Sequence, residues 1–210
     1  MRQARIKIKK VKNLIPELKN SDCSDIWLWG QGKKPTLPHF NSIHKINGSV
    51  ISAVDLIKGI GKLSGLNVLN VEGATGYLDT NYKGKVSAAL GSLKKDDFCM
   101  IHIEAPDETG HEGDYEKKIQ AISDLDEKVV GPIMEGLKAG HVEYKICIVS
   151  DHPTPVDIRT HSYEYVPYLI FDSRLNTNKH NQNTFSERSA NESSLIHDDG
   201  HKLLASFLKN

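Results

Sequence analysis

Phe98-Cys99-Met100-Ile101-His102-Ile103, followed by Glu104-Ala105-Pro106-Asp107-Glu108-Thr109-Gly110-His111-Glu112-Gly113-Asp114, is the stretch on which the fold turns. The first six residues are apolar apart from His102 and read as a buried strand. The next ten read as a polar loop, Glu104–Gly113. Asp114 then reads as the N-cap of a long helix, because Ile119, Ile122, Leu125, Val129, Ile133 and Leu137 recur at intervals of three and four. Strands and helices alternate on the upstream side. Upstream, Val50-Ile51-Ser52-Ala53-Val54 is a short strand, with Asp55 as cap of the following helix. Asn67-Val68-Leu69-Asn70-Val71 is a second strand, and the loop Glu72–Gly84 leads into a helix around Val86–Leu93. Downstream, Tyr144–Val149 and Val166–Phe171 are strands, residues 176–198 are an Asn- and Ser-rich loop, and Gly200–Leu208 is a final amphipathic helix. Alternating strands and helices predict an α/β fold with a mainly parallel sheet covered by helices on both faces.

Further out, Ile26-Trp27-Leu28-Trp29 ending at Gly30 reads as another buried strand. Arg5-Ile6-Lys7-Ile8-Lys9 alternates with period two, as an edge strand with a solvated basic face does. Residues 1–20 carry seven basic side chains against the single acid Glu17. The chain as a whole balances 27 Lys+Arg against 27 Asp+Glu, which excludes the broad basic field of a general nucleic-acid binder. No run approaches the roughly 18 apolar residues of a membrane span, and no apolar signal segment follows the charged start. Three widely spaced cysteines, Cys23, Cys99 and Cys147, support neither a disulfide framework nor a zinc ribbon, so the expected location is the reducing cytoplasm. At 210 residues the chain is long enough to bury a core without such staples.

Ten histidines stand out, and their placement matters more than their number. In sheets of this kind ligands bind beyond the carboxyl ends of the strands. Two loops leaving such ends hold the densest chemistry: Glu104–Asp114, and Ser150-Asp151-His152-Pro153-Thr154-Pro155 running on to Arg159-Thr160-His161-Ser162. Taken singly, Asp107 or Asp114 is a helix cap, His152 a turn histidine and His161 a surface one. Together they place carboxylates and imidazoles on one rim. Mixed nitrogen and oxygen ligands suit manganese, zinc or iron better than calcium, and a pair of such ions can clamp both oxygens of a displacement at phosphorus.

Other motifs carry less. Gly59-Ile60-Gly61-Lys62-Leu63-Ser64-Gly65 has serine where a dinucleotide loop needs its third glycine, and lies after a helix start. Gly84-Lys85 precedes Val86, not the Ser or Thr of a P-loop. His197 and His201 have zinc-like spacing with no third ligand nearby and read as surface residues. Cys99 and Cys147 read as core fillers.

The two loops, with Trp27-Leu28-Trp29-Gly30-Gln31-Gly32, Ile51–Gly61 and Gly73-Ala74-Thr75-Gly76-Tyr77-Leu78-Asp79-Thr80-Asn81-Tyr82, resemble the archaeal-type 2,3-bisphosphoglycerate-independent phosphoglycerate mutases of the alkaline phosphatase superfamily. The likeness runs from about residue 26 to 170 and corresponds to the family's C-terminal half. It implies a cytoplasmic glycolytic isomerase that interconverts 3-phosphoglycerate and 2-phosphoglycerate through a phosphoserine. It implies two divalent ions, manganese or else magnesium, zinc or cobalt, with Asp107, His111 and His161 holding one and Asp151 and His152 the other. Lys58, Lys85 and Arg159 are implied contacts for substrate phosphate or carboxylate.

The family's nucleophilic serine and the Asp beside it have no counterpart here, so no catalytic nucleophile is assigned within the chain. Residues 1–22 are expected to be the tail of an inserted substrate domain or an N-terminal extension. Residues 23–210 would be the C-terminal half of an incomplete phosphatase-like domain. The expected partners are a small phosphorylated metabolite and a separate N-terminal-half chain or a second copy, with no nucleic acid and no membrane. The alternatives are a phosphatase or phosphotransferase acting on another small phosphometabolite, and an inactive truncated metal-binding domain.

Overall fold

The computed structural model describes residues 14–16, 30, 32–175 and 184–209. The chain divides into two units, Met1–Thr36 and Leu37–Asn210, and every element described below lies in the second. The strands expected at residues 5–9 and 26–29, the boundary expected at residues 22 and 23, and Cys23 lie outside the described residues.

After a short helix α1 (Phe40–His44), the chain forms β1 (Gly48–Ile51), α2 (Asp55–Leu63), β2 (Asn67–Leu69), α3 (Tyr82–Ser92) and β3 (Phe98–Ile101). The three strands make a parallel sheet in the order β2-β1-β3, with Ile51 level with Leu69 on one side and Ile101 on the other. β1 is central and buried at all four positions. Successive side chains of a strand point to opposite faces, and β1 uses both. Val50 faces α2, where a Cβ on Gly61 would overlap its side chain. Ile51 faces α3 and packs in a core with Tyr82, Val86, Ala89, Val129 and Ile133. Helices therefore cover both faces, as the alternating pattern predicted.

Beyond β3 come α4 (Ala105–Glu112), α5 (Tyr115–Leu125), a π-helical turn over Asp126–Val130 and α6 (Gly131–Ala139). The expected loop at residues 104–113 is largely the helix α4. Pro106 at its first turn needs no amide partner there, and Gly113, at φ +74°, closes it in the left-handed conformation. Asp114 caps α5 as read, accepting from the Lys117 amide at 3.0 Å. The cap of α2 is Val54, with Asp55 as the first helical residue, a shift of one position.

The long apolar stripe is not all buried. Val129 and Ile133 are core and Leu125 and Leu137 pack on it, yet Ile119 and Ile122 stand 59% and 52% exposed. The buried face steps by fours through Ala121, Leu125, Val129, Ile133 and Leu137. The wide π turn absorbs the drift that an ordinary helix, at about 100° per residue, would accumulate over such steps. Ile119 and Ile122 fall off that face.

β4 (Lys145–Val149) and β5 (Tyr168–Asp172) form a separate antiparallel pair. A parallel return would need a crossover, usually a helix, and residues 150–167 contain none. Part of the loop expected at 176–198 is helix α7 (Glu187–Ser193), capped by the Ser186 side chain. Helix α8 (Gly200–Leu208) follows as predicted. Among the described residues, no helix is long and apolar enough to cross a membrane.

Candidate metal centre

The segment after β3 and the segment after β4 meet. In α4, Asp107 and His111 are four residues apart, so they share one helix face. From the 150–161 segment His161 joins them, and one ligand atom from each of the three lies within 4.8 Å of the others. His111 Nε2 is 3.1 Å from His161 Nε2 and 3.4 Å from Asp107 Oδ2, and His161 Nε2 is 3.5 Å from Asp107 Oδ1. Ligands about 2.1 Å from a shared ion stand about 3.0 Å apart at right angles and about 3.4 Å apart at the tetrahedral angle. The three separations are close to these values, with Asp107 offering a different oxygen to each histidine.

The hydrogen-bond partners fix which nitrogen faces inward. His111 Nδ1 lies 3.0 Å from the Arg159 carbonyl, which only accepts. Nδ1 therefore carries the proton and Nε2 presents its lone pair to Asp107 and His161. A backbone carbonyl that orients a ligating imidazole is the usual outer support of a metal site. Arg159 reaches this position with φ +53°, an uncommon conformation for a residue with a side chain.

His152 extends the cluster. Its ring lies against His161, centroids 3.7 Å apart and planes tilted by 32°, and its Nδ1 is 3.9 Å from Asp107 Oδ1. Its Nε2 is 3.3 Å from Asp151 Oδ2, and its amide donates to Asp151 Oδ1 at 3.0 Å. The five residues expected as ligands thus lie together, three as a compact group and Asp151–His152 as an adjoining pair.

Lys58, Lys85 and Arg159 have separate settings. Lys58 pairs with Asp55 at 3.0 Å on the α2 surface. Lys85 is 1% exposed, and its ammonium donates to the His102 carbonyl at 3.3 Å. Burial lowers its pKa, with Glu104 opposing that shift. Arg159 contributes its carbonyl to His111, while its guanidinium lies against Gly113.

Sequence reading missed several supporting groups. Thr154, 4% exposed, hydrogen-bonds Asp107 through its hydroxyl and lies 3.3 Å from His152 Nδ1. His102, at the end of β3, pairs its Nδ1 with the buried Ser52 hydroxyl at 3.1 Å, and burial lowers its pKa. Glu104 has a raised pKa, chiefly from burial and then from Glu108 and Asp107. Thr154 stands inside the motif and was available to inspection. Lys118 gave no signal beyond a polar position on a helix.

The model of the metalloenzyme superfamily matches residues 6–201. The chain belongs to that superfamily. It is 47% identical over 186 residues to a probable 2,3-bisphosphoglycerate-independent phosphoglycerate mutase of Geobacter sulfurreducens, a match covering 88% of this chain and 46% of the relative. It is 45% identical to the mutase of that name from Methanosarcina barkeri, over 86% of this chain and 45% of the relative. The chain therefore spans about half the length of the curated relatives it matches. A Pyrococcus horikoshii protein of solved structure superposes with a TM-score of 0.60 at 32% identity, over 74% of this chain and 39% of that one. The Thermoplasma acidophilum cofactor-independent phosphoglycerate mutase shares the fold, with a TM-score of 0.53 at 24% identity over 77% of this chain and 36% of its own.

Proposed function

We propose that this chain is the metal-binding portion of a cofactor-independent phosphoglycerate mutase, interconverting 3-phosphoglycerate and 2-phosphoglycerate together with a segment that supplies a nucleophilic serine. The observation that carries the reading is the Asp107–His111–His161 group, with His111 held by the Arg159 carbonyl so that its free nitrogen faces the other two. The relatives' names supply the reaction. In this reading residues 1–22 belong to the tail of an inserted substrate domain and residues 23–210 to the phosphatase-like domain.

Asp107, His111 and His161 hold one divalent ion, and Asp151 and His152 contribute to a second; the mixed donor set suits manganese. When bound, such ions neutralise charge on the transferring phosphoryl oxygens and favour ionisation of the attacking hydroxyl. The chain's own residues pre-set the site. Arg159 fixes the tautomer of His111, Thr154 orients Asp107, and α4 keeps Asp107 and His111 one turn apart. Lys85 stays beneath the rim and secures the backbone at His102.

The test is co-expression of this chain with the complementary portion of the Geobacter relative. Conversion of 3-phosphoglycerate would be followed by phosphorus NMR with Mn²⁺ present. Turnover that disappears in Asp107→Asn and His161→Ala supports the reading. A folded, Mn²⁺-loaded complex that leaves 3-phosphoglycerate untouched refutes it, and one that releases inorganic phosphate assigns hydrolysis in its place.

A further inference from the structure

We infer that Lys118, which nothing in the ligand set requires, is the positioning residue that fixes the spacing between the two ligand-bearing segments. The inference rests on the metal-centre reading above and adds a residue to it. Lys118 lies on α5, beyond the turn that ends α4. Its ammonium donates to the Pro106 carbonyl at 2.6 Å and to the Thr154 carbonyl at 3.2 Å. Pro106 directly precedes Asp107. Thr154 is the residue whose hydroxyl meets Asp107 and His152. One ammonium therefore bridges the backbone of both segments, at Pro106 beside Asp107 and at Thr154 two residues after His152, although these are far apart in sequence.

The same seam is closed from a second side. Gly110, buried in α4, lies so close to Thr154 that a Cβ there would overlap the Thr154 carbonyl oxygen. That oxygen is thus pressed by α4 and held by Lys118. Pro106 cannot donate from its own nitrogen, and its carbonyl stands in the first turn of α4. Burial lowers the pKa of Lys118 while Asp107, first among the charges, raises it.

A tie of this kind acts before any ion arrives. With Lys118 in place, Asp107 on α4 already stands 3.5 Å from His161 and 3.9 Å from His152 on the other segment. Without it, metal binding must draw the two segments together and bear the ordering cost. Outer-shell supports of ligating groups change metal affinity by about 10–100-fold when removed.

The experiment uses the full chain with Lys118→Met, which keeps the apolar stem and removes the donors, Lys118→Gln, which keeps a shorter donor, and Lys118→Arg, which keeps the cation. Mn²⁺ affinity is measured by titration of free Mn²⁺ in the EPR spectrum. Amide exchange across residues 150–161 is measured on the metal-free protein. The inference predicts at least tenfold weaker Mn²⁺ binding for Lys118→Met, an intermediate loss for Lys118→Gln and recovery in Lys118→Arg. It also predicts faster exchange at 150–161 in Lys118→Met with no change across β1. Wild-type affinity in Lys118→Met overturns it and leaves the metal centre standing. Failure of the wild type to bind Mn²⁺ removes the metal reading, and unchanged exchange at 150–161 then removes the tie as well. If Lys118→Met does not fold, Lys118→Gln decides in its place.

Discussion

Replacing Thr154 with valine removes one hydroxyl from a buried position and isolates what that hydroxyl does. The Thr154 hydroxyl has a single proton and two polar neighbours, Asp107 Oδ1 and His152 Nδ1. A carboxylate only accepts, so the proton goes to Asp107. The hydroxyl oxygen is then left to accept from His152 Nδ1–H, which puts the lone pair of His152 on Nε2, the nitrogen facing Asp151. One hydroxyl thereby orients a carboxylate in the first group and sets the tautomer in the second. Thr154→Val abolishes both effects and leaves the Thr154 carbonyl free to keep its bond to Lys118. By analogy with other outer supports, Mn²⁺ affinity falls about 10–100-fold, equivalent to about 1.4–2.7 kcal/mol. Fold stability changes less. The Asp107 side chain is 27% exposed, so water replaces the lost donor, and the cost stays near or below about 1.5 kcal/mol. The assay is equilibrium titration of the metal-free protein with Mn²⁺, read by the EPR signal of free ion, with urea unfolding alongside. Thr154→Ser should restore affinity. Mn²⁺ binding within twofold of wild type in Thr154→Val would refute the reasoning, because neither the carboxylate nor the imidazole would then depend on the hydroxyl.

Metal should stabilise the fold directly. Mn²⁺ at about a hundred times its Kd adds about 2.7 kcal/mol, or roughly 5–10 °C in Tm for a domain of this size, and EDTA should reverse the gain; a Tm indifferent to both would contradict the site. Lys85→Ala should cost about 2–5 kcal/mol, because it empties a fully buried position. Lys85→Met keeps the stem, orphans only the His102 carbonyl and should cost about 1–2 kcal/mol; equal losses in urea unfolding would show that the ammonium, not the packing, dominates. His102 gives a pH dependence whose sign follows from its lowered pKa. The unfolded chain takes up the proton first as pH falls, so the stability His102 contributes is whole above about pH 6.5 and drains away as pH drops through its folded-state value. The urea midpoint of the wild type should therefore fall more steeply from pH 7.5 to 5.5 than that of His102→Gln, and parallel slopes would exclude this role for burial at His102.

Much of this was legible before any coordinates. A parallel sheet followed from short apolar runs separated by helical periods, since β1 is buried on both faces and has no polar alternation to confuse it; the order β2-β1-β3 came only with the structure. The loops after β3 and β4 stood out by their density of Asp and His, and the grouping of Asp107, His111 and His161 was implied by the family resemblance. What stayed hidden depends on tertiary geometry. Helix α4 was read as a loop because Pro106, Gly110 and Gly113 are breakers by composition; here Pro106 opens the helix, Gly113 ends it and Gly110 admits the Thr154 carbonyl. The antiparallel β4–β5 pair was hidden because strand direction depends on the connection, and residues 150–167 are spent on the site and contain no crossover helix. The exposure of Ile119 and Ile122 was hidden because a π turn changes the phase of the stripe without altering its apolar content. Lys118 was hidden because its partners are backbone carbonyls, which no side-chain pattern records.

The most direct measurement is the nitrogen modulation in the pulsed EPR signal of Mn²⁺ bound to the folded chain. Imidazole nitrogen coupled to the ion, weakened in His111→Ala and in His161→Ala, is the predicted result. A bound ion surrounded only by water protons and carboxylate oxygen, or no bound ion at all, would contradict the metal centre from which the proposed phosphoryl transfer follows.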